Sequence, residues 1–136
     1  MTPAIGFLAL LFTTGASAQV DILDYLDDRY PETERIAQTL WDYAEVGYQE
    51  ERSSALLQQA LAVEGFVVET GVAAIPTAFV ASFGSDGPVI AILAEFDALP
   101  GITQDAVPMR SPIEGKGTAH ACGHNLFGAG SVSAAI

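Results

Sequence analysis

Apolar and polar residues alternate along this chain with two different periods, and the change of period divides it. From Asp21 onward, Ile22, Leu23, Tyr25 and Leu26 recur at the spacing of a helix face. Pro31 has no backbone donor, so it is expected to interrupt that helix and to open a second one, with Glu32 and Glu34 near its positive end. Ile36, Leu40, Tyr43 and Ala44 give the second helix an apolar stripe, and Gly47 is expected to end it. Ser53, Leu56, Leu57, Ala60 and Leu61 mark a third helix that stops near Gly65. Trp41, Tyr43 and Tyr48 read as core packing. Glu50, Glu51 and Arg52 read as a solvated helix start.

Beyond Gly65 the period shortens. Residues 66–70 and 77–83 predict short strands, and the turn residues of 84–88 separate them from Val89-Ile90-Ala91-Ile92-Leu93-Ala94. That unbroken apolar run predicts a central strand over 88–95, buried on both faces. Residues 101–121 have no regular period and read as a long functional loop. From Asn125 a helix is predicted, and Gly128-Ala129-Gly130-Ser131 would let it lie close to its neighbours. Helices followed by strands and a closing helix predict an α/β layered domain.

Half of the 136 residues are hydrophobic, enough for a packed core, and the formal charge is −12 from 17 acidic and 5 basic residues. No stretch clusters Lys or Arg, which argues against nucleic acid as a partner. Residues 1–20 carry no charged side chain; an apolar core over 5–12 and the small residues Ala16-Ser17-Ala18 form a secretory signal pattern too short to span a membrane. Cleavage after Ala18 would leave 19–136 as an exported chain, periplasmic or extracellular, with no membrane association. The single cysteine, Cys122, has no partner for an internal disulfide, so it is either buried and inert or held by something such as a metal.

The candidate chemistry lies in two segments. Asp97 follows the predicted strand, at the sheet edge where open α/β folds bind ligands, and Pro100-Gly101 fixes the exit of the chain. Its carboxylate either serves a metal centre or is satisfied as a turn or N-cap aspartate. Cys122 and His124 flank Gly123, and a thiolate with an imidazole suits zinc or a similar ion. The plain alternative is a buried thiol beside a separately satisfied histidine. His120 reads either as a third ligand or as a hydrogen-bonded loop histidine.

Residues 94–101 (AEFDALPG), 117–128 (GTAHACGHNLFG) and 43–51 (YAEVGYQEE) resemble the M20 metallopeptidase family in its amidohydrolase branch. The resemblance implies a layered α/β/α zinc-peptidase-like catalytic domain. Cys122 and His124 would be ligands of a divalent metal, Zn or Mn, and Asp97 the buried catalytic acid that orients the centre. Glu95 stands where many M20 peptidases carry a metal-binding His. The family's paired glutamates, its further histidines and its dimerisation and lid domain lie further along in sequence than Ile136. The chain is therefore expected to be an N-terminal portion of such an enzyme, inactive alone, whose full-length relatives form homo-oligomers. The implied function is metal-dependent hydrolysis of a small-molecule amide to an amino acid, N-acyl or aminobenzoyl-glutamate-like. The alternatives are a truncated non-catalytic binding protein and a cysteine hydrolase using Cys122.

Overall fold

A computed structural model describes residues 21–136; the expected signal segment 1–18 lies outside them. Helix α1 (Ile22–Tyr43) is capped by the Asp21 side chain and is one continuous helix through Pro31. The expected break does not occur. A proline inside a helix costs about 3 kcal/mol in lost hydrogen bonding and ring clash. Pro31 lies on the exposed side of α1, whereas Ile36, Ala37 and Leu40, further along, are buried, and their packing holds the helix together. The helix also ends before Gly47: Ala44 caps it in the left-handed region, its N–H donating to the Leu40 carbonyl.

Helix α2 (Glu51–Val63) has no cap from its own N-cap residue, Glu50. The cap comes from Glu45, whose carboxylate accepts from the Ser53 N–H at 2.8 Å, the Ser53 hydroxyl at 2.7 Å and the Arg52 guanidinium at 2.9 Å. Burial pushes the Glu45 pKa up, but the hydrogen bonds from Arg52 and Ser53 outweigh it and hold the carboxyl below the ordinary glutamate value. A depressed acid contributes stability above its unfolded pKa of about 4.3 and loses it as pH falls through the lower folded value. Glu45→Ala is therefore expected to cost about 1.5–3 kcal/mol at neutral pH. In urea titrations the gap between variant and parent should narrow below pH ~4; a gap unchanged down to pH ~2 would refute the cap.

Strands β1 (Val67–Thr70) and β2 (Phe79–Ser82) pair antiparallel, Val67 opposite Ser82, within the ranges the sequence predicts. Between them the turn Val72–Ala74 holds Ala73 and Ala74 at positive φ. Strands β3 (Leu99–Pro100) and β4 (Thr118–Ala119) form a second, separate two-stranded ladder that closes the long loop. Helix α3 (His124–Ala135) begins one residue before the expected start.

The expected central strand over 88–95 is absent. Val89 is 96 % exposed, Ile90 84 % and Leu93 82 %, and none of these residues joins a ladder. An apolar run becomes a strand only beside partners, and among the described residues β1 pairs with β2 and β3 with β4. The fold is still α/β, but its core is helical: Ile36, Ala37 and Leu40 of α1, Leu57 and Leu61 of α2, and Ala129 and Val132 of α3. Phe66, Phe79 and Phe96 pack against this cluster. Among the described residues no helix is long and apolar enough to cross a membrane.

Two further expectations fail near residue 48. Tyr48 is 73 % exposed, not core. Glu50 is buried, and its carboxylate accepts from the Thr77 hydroxyl at 2.7 Å, so it ties the start of α2 to the segment before β2.

Candidate metal centre

Two backbone contacts and one close approach bring the site together. The Ala98 N–H donates to the Glu45 carbonyl at 2.7 Å, and Val46 and Ala98 form a parallel bridge, which fixes the segment carrying Glu95 and Asp97 beside the exit of α1. Helix α3 meets that segment through Gly128. A Cβ there would lie 3.2 Å from the Phe96 Cβ and 3.4 Å from both the Glu95 carbonyl and Leu40 Cδ1. A side chain there would press these neighbours back by a few tenths of an ångström, so glycine favours the close approach. The Ser131 hydroxyl donates to the Leu93 carbonyl at 2.9 Å, a second tie between the same two elements.

At the start of α3, Gly123 takes φ 77 and turns the chain so that His124 opens the helix. The ring of His124 lies between two carboxylates. Its Nδ1 is 2.8 Å from Asp97 Oδ1 and its Nε2 is 3.2 Å from Glu95 Oε2. One ligand atom each from Glu95, Asp97 and His124 lie within 4.8 Å of one another. A neutral imidazole has one N–H to give. One ring nitrogen therefore faces a carboxylate with no proton of its own to give, an arrangement that a cation among the three groups would satisfy. Carboxylate and imidazole donors suit a divalent ion such as zinc or manganese, so the residues fit the ion the sequence implies.

Asp97 and His124 therefore meet, as expected, though not at the end of a formed strand. Cys122 is exposed on the turn before α3 and is not part of the three-residue cluster. Glu95 joins the cluster although the sequence marked it only as a departure from a family pattern. The signal that finds it is its spacing: two residues from Asp97 along an extended segment put both carboxylates on one side.

His120 is buried and is not one of the three residues of this cluster. Its Nε2–H donates to the Leu40 carbonyl at 2.9 Å, while Nδ1 has no partner among the described residues. Burial holds its pKa below the ordinary histidine value, more than the Leu40 carbonyl raises it. The Asn125 amide donates to the Ala37 carbonyl at 3.2 Å. Together they fasten both sides of the Cys122 turn to the end of α1. An open cavity of about 590 Å³ adjoins the cluster, lined by Tyr48, Glu50, Ile75, Thr77, Phe96 and the three site residues, among others. That volume is in the range of small-molecule sites.

No protein-family profile matches the chain. It is similar to one of the subunits of the p-aminobenzoyl-glutamate hydrolase of Escherichia coli (strain K12), 43 % identical over 74 % of this chain and 21 % of that protein. It is also similar to thermostable carboxypeptidase 1 of Saccharolobus solfataricus, 32 % identical over 78 % of this chain and 28 % of that one. A solved structure described as a candidate aminohydrolase, from methicillin-resistant Staphylococcus aureus, superimposes with a TM-score of 0.66 at 29 % identity, over 82 % of this chain and 28 % of its own. The chain thus spans between about a fifth and three tenths of the length of these relatives. Over that stretch, which includes the AEFDALPG and HACGHN segments beside His124, the chain is similar to amidohydrolases of the M20 family.

Proposed function

We propose that these residues are part of a metal-dependent amidohydrolase that cleaves the amide bond between a small acyl group and an amino acid. The observation that supports it most is the placing of Glu95 and Asp97 on the two nitrogens of His124, an arrangement a divalent cation would satisfy. Glu95 and the Nε2 of His124 would hold the ion and Asp97 would orient the ring, with Cys122 on the adjoining turn as the thiolate that the family resemblance adds. A zinc or manganese ion bound here supplies Lewis acidity to an amide carbonyl and lowers the pKa of its bound water. Asp97 accepts from Nδ1–H of His124 and so fixes the tautomer that leaves Nε2 free to bind. The cavity beside the cluster would admit the amide.

Among the described residues that line the cavity, no carboxylate stands free as a general base. Glu95 and Asp97 lie against His124, and Glu50 accepts from Thr77. Residues 21–136 alone are expected to hold the ion without turnover. The exported location of a mature chain from Gln19, its layered zinc-peptidase fold and its assembly into homo-oligomers belong to the same proposal. The relatives' names, a p-aminobenzoyl-glutamate hydrolase and a carboxypeptidase, support the amide to an amino acid as the bond cleaved.

The test uses the full-length protein and an N-acyl amino acid. Exhaustive dialysis against a chelator should abolish hydrolysis, and zinc or manganese should restore it. Alkylating the thiol while the chelator is present should change nothing further. Full activity in metal-free protein would sink the reading, and activity lost only on alkylation would point to Cys122 as nucleophile.

A further inference from the structure

The turn over residues 46–49 puts an aromatic ring where the backbone asks for glycine. The Gln49 N–H donates to the Val46 carbonyl at 2.9 Å, and Tyr48, the third residue of that turn, has φ 66. Glycine or asparagine normally takes this position, because a Cβ crowds the neighbouring carbonyl. A bulky residue held there is a strained exception, and such exceptions gather where ligands bind. Core packing does not compensate the strain, since the side chain is 73 % exposed.

What the strained conformation does achieve is placement. Tyr48 lines the same cavity as Glu95, Asp97 and His124, and Ile75, Ala78 and Phe96 add apolar lining to it. We propose that Tyr48 contacts substrate and selects an aromatic acyl group, its ring covering the flat face of the acyl part while the amide lies at His124. A tyrosine ring offers a large apolar face that stacks on a second aromatic ring and has little to grip in an acetyl group. The assignment rests on the amidohydrolase reading and narrows its substrate class.

The experiment compares two amides that share glutamate and differ only in the acyl group: p-aminobenzoyl-glutamate and N-acetyl-glutamate. Both are assayed on the full-length, metal-loaded protein. Tyr48→Gly is expected to raise KM for the aminobenzoyl compound roughly 3–10-fold. The KM for the acetyl compound should rise less, so that the ratio of the two KM values moves toward the acetyl compound. Tyr48→Phe should keep the parent's selectivity, because the stacking face remains. The glycine variant should melt no lower than the parent, since glycine accepts the φ of 66 without strain. A parent that hydrolyses both amides, with its selectivity unchanged by Tyr48→Gly, overturns this assignment alone. So does a variant that loses both activities alike. A parent that hydrolyses neither overturns the amidohydrolase reading and this assignment with it.

Discussion

Replacing Leu40 with alanine is expected to cost about 2–5 kcal/mol, the usual range for deleting a buried leucine side chain. Leu40 is 0 % exposed, and three elements converge on it. Its Cδ1 faces Gly128 of α3, its carbonyl takes the His120 Nε2–H, and the same carbonyl accepts from the Ala44 N–H that closes α1. Shortening the side chain leaves a void that Gly128 cannot fill. The Phe96 segment would have to move inward to close it, carrying Glu95 and Asp97 away from His124. The change should appear as a lower urea midpoint with an unchanged slope. A loss under about 1 kcal/mol would mean that α1 and α3 do not close over this residue.

The second large effect is expected at Asp97. Asp97→Asn keeps the shape and removes the charge. An amide can turn either its accepting oxygen or its donating nitrogen toward the ring, so the side chain no longer dictates which nitrogen of His124 carries the proton. Loss of a carboxylate that orients a metal-binding histidine typically weakens the metal 10–100-fold, and that is the expected change in zinc affinity. Competition with a chromophoric chelator measures it directly. The Asp97 side chain is 34 % exposed, so global stability should hardly change. Unaltered affinity would show that Asp97 does not govern the ring.

Much of this was legible in the sequence because it depends on local pattern. The Leu57–Leu61 spacing marked α2, the shorter period after Gly65 marked the two strands of the β1–β2 hairpin, and the apolar run from Asn125 marked α3. The meeting of Asp97 and His124 was legible only through the family resemblance of their two segments, since spacing alone left Asp97 equally readable as a turn or N-cap aspartate. What escaped depends on neighbours remote in sequence. Pro31 breaks a helix on propensity alone, yet packing further along α1 carries the helix through it. Glu50 reads as solvated until Thr77 is placed against it. Tyr48 reads as core until its turn aims it outward. The run over 88–94 reads as a central strand, but whether it becomes one is decided by what lies alongside.

That exposed run has a consequence for handling the molecule. Val89-Ile90-Ala91-Ile92-Leu93-Ala94 is uncharged, rich in β-branched residues and free of glycine and proline. These are the marks of a segment that stacks into intermolecular cross-β ribbons. In concentrated solution, copies of residues 21–136 would compete to pair these segments with one another, and a lag followed by rapid fibre growth is the expected course. Asp86 and Glu95 stand on either side of the run as electrostatic gatekeepers, and the repulsion between like charges on neighbouring copies slows such stacking.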